Sequence, residues 1–498
     1  MVQDLVKTRE ELEEIAGALA SEIANPNENI VSRYLRVIYD QVSFMNGKKY
    51  QQRGGDGNIN KEFMDRGIYN QCPIDDLVPS HNFRDLVVAR DLRMTRFPFA
   101  KKNVELPPEQ EVFFEEIPSE IDFYNLELAE FTKEHPNTRF TRVFAVEQRV
   151  IVNSKGGVAI QSIPFFRISY SHGYEPIPTS RELAAVCTSA QDIHNYTKLI
   201  AFIPDPTIDK KVKKASSFSE AFHELYLISK LRHGSLEEAG IPLAGLYDVV
   251  VLTGTPAHEV FGHHFEEPVR FLNYGESATF KAGQDIKNDT ITLKDDPHQR
   301  IDNLRVQGFT HVDAYGRKRE TRTHIKDGKC LEFLGSEYAD PEMLRPYLNV
   351  DTNMFLGNAS QHLDGRFPQA RMSCTVLDGK TEEIDLEGKI LIVSQEGHTS
   401  PQDKTYSLGA REAYVVRNGE PQRIVPLRIT GAINQALANV TLLEDWNYNI
   451  GCCGKPSPLD EGYATIIVSE LTRNQLWRQQ QVYPVPVSPD HLQILRGY

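Results

Sequence analysis

Two imidazoles and a carboxylate stand close together in the stretch running from Thr255 through His258, Glu259, Gly262, His263 and His264 to Glu267. Imidazole nitrogen is a ready ligand for Zn²⁺, and a catalytic zinc site uses three protein ligands while leaving the fourth position to a water whose pKa falls toward 7. A glutamate beside a ligand can take that water's proton. The residue types therefore suit metal-assisted hydrolysis, with Glu259 placed to act as the base. On pattern alone, the alternative is a helix carrying solvated histidines.

The spacing constrains the backbone. The familiar zinc-protease pattern sets its histidines four apart, one helical turn, so that both face the same way. Here the fourth position after His258 is Gly262, and the histidines follow at five (His263) and six (His264). At ~100° per residue, five steps place two side chains about 140° apart around a regular helix. The pair can chelate only if the helix ends, loosens or bulges at Gly262, glycine being the residue most able to take an irregular φ/ψ.

A third donor is sought among six cysteines, Cys72, Cys187, Cys330, Cys374, Cys452 and Cys453. They are too few for a disulfide framework, and none forms a Cys-x-x-Cys, so most read as buried thiols. Cys452 and Cys453 differ, lying between Gly451 and Gly454 in a loop-like stretch, Asn449 to Pro456. That loop either offers a thiolate as the missing soft ligand or is a tight turn with incidental thiols.

The elements that must position these groups follow from periodicity. The 498-residue chain is 40% hydrophobic and 25% charged, with a net charge of −14, as in a soluble globular protein of about two to four domains. An acidic balance disfavours a nucleic-acid binder, which shows a basic face. No apolar run is long enough to span a bilayer. The chain starts with a capping box, Thr8 to Glu11, and a helical stripe of Leu12, Ile15, Ala16, Leu19 and Ile23, not with an apolar secretory core. A cytoplasmic location is the expectation.

Tyr34 to Tyr50 predicts a hairpin about an Asn46-Gly47 turn, and Asp122 to His135 a short helix. Arg139 to Tyr170 reads as a β-meander turning at Asn153 to Gly157, and Ser180 to Phe202 and Ser219 to Arg232 read as amphipathic helices. Tyr247 to Leu252 is a buried strand that delivers the chain into His258. We place the boundary near residue 240. Residues 1–240 then form an α+β domain of helices on a mainly antiparallel sheet. Residues 241–498 form a mainly-β domain, a sandwich or a closed or half-closed barrel, from short strands within Lys287 to Leu304, His311 to Leu334, Glu383 to Ser394, Glu412 to Leu427 and Ala464 to Thr472. Cys453, far along the chain, can reach the histidines only through tertiary folding.

Several of these features together resemble a known group. In order they are Tyr247 to Leu252, His258-Glu259-x-x-Gly262-His263, Arg371-Met372-Ser373 with Thr375, Gly451-x-Cys453-Gly454-Lys455 and a closing strand at Val468. This series is similar to the TldD/PmbA family of metallopeptidases, once described as modulators of DNA gyrase. The resemblance runs from roughly Ala215 to the end and only loosely through the first half, where Asn153-Ser154-x-Gly156 matches. It implies the same α+β and barrel-like division. In the TldD-like branch the two motif histidines and the loop cysteine hold zinc, which by position are His258, His263 and Cys453, with Glu259 as general base. The PmbA-like branch lacks the metal motif and serves as a partner; this chain keeps every metal residue and so resembles the catalytic branch. It departs in its doubled cysteine and in Pro456-Ser457-Pro458, where the family has Gly-Gln.

The resulting expectation is a zinc-dependent peptidase that hydrolyses extended or unfolded peptides, forms a homodimer or a heterodimer with a family member, and has no nucleic-acid or membrane partner. The alternative is a non-catalytic partner subunit with a structural or vestigial metal site. Arg371 and His398 are candidates for holding substrate or an oxyanion, each equally readable as structural.

Overall fold

The computed structural model describes residues 6–23, 30–63, 68–73, 86–88, 128–136, 138–172, 179–186, 244–266, 279–335, 357–360, 368–400, 404–456 and 463–485. Helix α1 (Arg9–Glu22) starts at the capping box: Thr8 Oγ1 accepts the Glu11 N–H at 3.2 Å, and Glu11 accepts the Thr8 N–H at 2.7 Å. Leu12, Ala16 and Leu19 then lie buried against Tyr34, Val150 and Val152, which lays the helix on a sheet.

That sheet is built from β1 (Ile30–Met45), β2 (Lys48–Phe63), β3 (Ile68–Pro73), β4 (Leu86–Val88), β5 (Thr138–Asn153), β6 (Val158–His172) and β7 (Thr179–Val186). Asn46 and Gly47, at φ 52° and 72°, link β1 to β2 with both central residues at positive φ, the turn whose twist suits a two-residue hairpin. Residues 128–134 are helical, within the predicted segment. One expectation is corrected at β7. Residues 179–186, assigned above to the start of a helix, form a strand in which Leu183 pairs with Ile168. The spacing of Leu183 and Val186 suits a helix, but this segment fills the row beside β6, and ladder pairing outweighs so short a periodic signal. Residues 187–202 and the helix expected at Ser219 to Arg232 lie outside the described residues.

The remaining strands are β8 (Gly245–Val251), β9 (Ile291–Asp295), β10 (Arg300–Ile301), β11 (Leu304–Val306), β12 (Arg322–Lys326), β13 (Lys329–Cys330), β14 (Ala359–Ser360), β15 (Gln369–Ala370), β16 (Cys374–Gly379), β17 (Ile390–Ser400), β18 (Thr405–Arg417), β19 (Glu420–Ile424), β20 (Leu427–Ala432), β21 (Val440–Pro456) and β22 (Tyr463–Pro484). The short strands β10 and β11 complete the first sheet, a nine-stranded array in the order β10-β11-β7-β6-β5-β1-β2-β3-β4. The others, apart from the β14–β15 pair, make an eleven-stranded sheet ordered β13-β12-β9-β16-β22-β20-β18-β17-β8, with β19 on β18 and β21 on β22. Because β8 pairs with β22 as well as β17, the strands β22, β20, β18, β17 and β8 form a ring of pairings from which the rest run off. The result is barrel-like without being a closed barrel, an α+β protein whose later half is sheet-rich, as expected.

Strand β8 shows why its sequence is apolar on both sides. Val249 and Val251 face one core with Phe261 and Trp477, while Val250 and Leu252 face a second with Leu391 and Leu476. A strand covered on both faces reads as a continuous hydrophobic run. Strand β22 is the common neighbour: Ile466 pairs with Cys453 of β21, Glu470 with Thr375 of β16, and Gln475 with Val251 of β8. Among the described residues no helix is long and apolar enough to cross a membrane.

Candidate metal centre

From β8 the chain enters a single π turn, Ala257–Phe261, followed at once by a 3₁₀ turn, Gly262–Phe265. A π turn closes its hydrogen bonds at i→i+5, and it gives residues five apart the stacked relation that an α-helix gives residues four apart. The rings of His258 and His263 accordingly lie 4.9 Å apart. The irregularity that the spacing demands is present, but Gly262 itself keeps ordinary helical dihedrals of φ −62° and ψ −42°. The departure falls on Phe261, at φ −109°. Glycine at 262 leaves room for the end of the Met372 side chain, since a Cβ there would lie 2.8 Å from its Sδ.

Strand β21 brings Cys453 to the same place. One ligand atom from each of His258, Glu259, His263 and Cys453 lies within 4.8 Å of the others. His263 Nε2 is 2.9 Å from Cys453 Sγ and 3.3 Å from Glu259 Oε2. The opposite nitrogen, Nδ1, is 2.9 Å from the buried carboxylate of Glu266. His258 Nδ1 is 2.8 Å from Thr375 Oγ1, and its Nε2 is buried without a well-formed hydrogen bond. Each ring thus commits Nδ1 to an oxygen and keeps Nε2 for a further partner, the usual arrangement for a metal-bound histidine. Two imidazoles, a thiolate and a carboxylate make a donor set that fits a borderline-soft divalent metal.

The electrostatics point the same way. Burial alone would raise the Cys453 thiol, but the charges of His263, Arg371 and His258 bring it down to about 6. Burial would lower His263, yet Cys453, Glu259 and Glu266 hold it well above the ordinary imidazole value. His258 is raised in the same sense, its burial offset by Cys453. Glu259 is lowered because His263 outweighs its burial. Without an ion, the protons on the imidazoles balance the thiolate and carboxylates, so a metal would bind by displacing them.

The other candidate residues take different places. His264 turns away from the cluster, with Nδ1 3.0 Å from Thr279 Oγ1 and its ring edge-on to Phe280. Arg371 is buried and donates to the Cys453 carbonyl. His398 falls on β17 opposite Ser407, and Cys452 on β21 opposite Ile467.

Two carboxylates escaped the sequence reading. Glu266 stands three residues after His263, and side chains at i and i+3 eclipse in a 3₁₀ turn, so this one was signalled locally. Its second oxygen accepts the Met372 N–H at 2.9 Å. Replacing Glu266 by glutamine should weaken metal binding by about 10- to 100-fold, measured by competition with a chromogenic chelator; undiminished affinity would remove it from the support of His263. Glu470 gave no local signal. It accepts from Thr255 Oγ1 and from Asn449 Nδ2, each at 3.0 Å, and so ties the approach to His258 to the approach to Cys453. Burial pushes its carboxyl up to about 7. Gly254 and Gly451 leave it space, since a Cβ at either would come within 2.6 Å of it.

Residues 245–464 match the family model for the PmbA/TldA metallopeptidase C-terminal domain. A search of curated proteins found no match. Among solved structures, the chain is similar to one from Thermotoga maritima, described as a candidate modulator of a DNA gyrase, at 14% identity and a TM-score of 0.59, covering 96% of this chain and 100% of that one. TldE from Thermococcus kodakarensis is similar at 11% identity and a TM-score of 0.60, covering 95% and 99%. A candidate modulator of DNA gyrase from Bacteroides thetaiotaomicron is similar at 13% identity and a TM-score of 0.60, covering 97% and 100%. At these identities the likeness is one of fold.

Proposed function

This chain belongs to the TldD/PmbA family, and from that premise we propose that it is a zinc-dependent peptidase of the TldD-like branch, acting in the cytoplasm on extended or unfolded peptides. The observation that carries the reading is the convergence of His258, His263 and Cys453, with Glu259 beside them, from segments far apart in the chain. In this reading His258, His263 and Cys453 hold the ion, which when bound supplies a water of lowered pKa and polarises the scissile carbonyl.

Glu259, kept ionised at neutral pH by His263, would act as the base, taking a proton from a water at the site and passing it to the leaving amine. Thr375 and Glu266 fix the orientation of the two rings. Arg371 steadies the backbone at Cys453. Among the described residues, β21 pairs with β22 alone, apart from an isolated bridge at Leu442. In this reading an extended peptide lies along β21 and passes beside Cys453, taking its affinity from main-chain hydrogen bonds and showing little sequence choice.

We further propose division near residue 240, and assembly as a homodimer or with a second family member. The test is digestion of an unstructured peptide library by the protein alone and with a co-purified partner, with and without chelator, alongside elemental analysis. The expected result is about one zinc per chain and cleavage abolished by chelator. Stoichiometric metal with no cleavage in either preparation would make the chain a non-catalytic subunit instead.

A further inference from the structure

A cavity of about 350 Å³ lies between the first sheet and the segment that follows β11. Val37, Val143 and Phe165 line it on the sheet side together with Arg167 and the Glu147–Arg149 ion pair, and Gln307, Thr310 and Arg319 line it on the other. Its size falls at the lower end of the range for small-molecule sites, and its make-up, apolar with a few polar groups, is typical of them.

Three of its polar side chains each keep one atom without a partner. Gln307 Oε1, Thr310 Oγ1 and Arg319 Nε are buried without a hydrogen bond, although the three residues are only 6%, 9% and 2% exposed. Arg319 is the most telling. Its terminal nitrogens donate to the hydroxyls of Ser373 and Ser360 and to the Ala359 carbonyl, all neutral acceptors. Among the described residues no carboxylate stands within ion-pair reach of it; Asp295, Asp313 and Glu147 act on its charge only from further off, and Glu147 is itself paired with Arg149. A buried cation with neutral partners and an open N–H is costly to maintain without an anion, and a guanidinium is the side chain best suited to a carboxylate.

We propose that this cavity binds a small ligand with an apolar body and a free carboxylate, of the size of an N-acylated amino acid, the carboxylate resting on Arg319 with Thr310 and Gln307 beside it. The site is separate from the metal centre but adjoins it. Met372 lines the cavity, and its sulfur lies 3.0 Å from Thr375 Oγ1, the group that holds His258.

Calorimetric titration of the purified full-length protein with N-acetyl-L-phenylalanine, against N-acetyl-L-phenylalaninamide, tests the proposal. The acid should bind and the amide should bind about tenfold more weakly or worse, the loss of one charge-assisted contact. Chelator should leave the acid's affinity unchanged, which separates this site from a carboxylate ligating the metal and makes the result independent of the peptidase reading. Arg319→Gln should weaken the acid about tenfold or more. Val143→Phe, which fills the apolar wall and leaves the guanidinium intact, should do the same while retaining the wild-type unfolding temperature. No binding of the acid, equal binding of the amide, abolition by chelator, or wild-type affinity in a folded Val143→Phe variant would each overturn the assignment.

Discussion

Replacing Glu259 by glutamine should lower the rate of peptide cleavage by between about 10²- and 10⁴-fold, the contribution of a positioned general base, while metal content stays at about one ion per chain. The substitution keeps the shape of the side chain and removes its basicity. Metal should stay because His258, His263 and Cys453 are unchanged, and because both rings retain their oxygen partners at Thr375 and Glu266. Elemental analysis and a fluorogenic peptide assay on the same preparation measure both quantities. Unimpaired cleavage would take Glu259 out of the mechanism. Loss of the metal would instead make this carboxylate a fourth ligand, which its place within 4.8 Å of the other donors also allows.

Cys453→Ser should weaken metal binding by more than about 100-fold, beyond what loss of a supporting group costs, because a soft anionic donor is exchanged for a neutral hydroxyl. Cys452→Ser should leave affinity where it was. The pH dependence provides a second reading. In the native protein the Cys453 thiolate is the main charge holding the proton on His263, and metal must displace that proton, so apparent affinity should rise with pH until His263 is neutral unaided. In Cys453→Ser the proton loses this partner, the His263 pKa falls, and the slope of affinity against pH should flatten near neutrality. Competition titrations across pH 6 to 9 would show it. A variant at Cys452 that loses metal while the one at Cys453 keeps it would reassign the sulfur.

What the sequence reveals is set by range. The Thr8 capping box, the Asn46-Gly47 hairpin and the strand into His258 depend on neighbours in the chain, and all three appear as read. The five-residue histidine spacing was informative because it conflicts with a regular helix, and the π turn resolves that conflict. The neighbour that Gly262 makes room for, Met372, lies far along the chain and is visible only in the fold. Residues 180–186 misled because Leu183 and Val186, three apart, suit the helical period, and only the ladder with β6 decides. Thr375 and Glu470 support the cluster from β16 and β22; the family-like series marks Thr375, but nothing in the surroundings of Glu470 distinguishes it from other polar strand residues. Cys453 became legible through family likeness more than through chemistry, its partner His263 lying 190 residues earlier in the chain.

Strand β22 sets the register of every arm of the centre, through β8 toward the histidines, β21 for the cysteine and β16 for Thr375. Thermal breathing that carries this backbone sideways moves all the donors as a block and leaves their mutual distances intact. The ion then has no weak side from which to escape piecemeal. Its release becomes tied to sub-global opening of this sheet, not to fraying at loops, so metal retention would report directly on how well the later half of the molecule is folded.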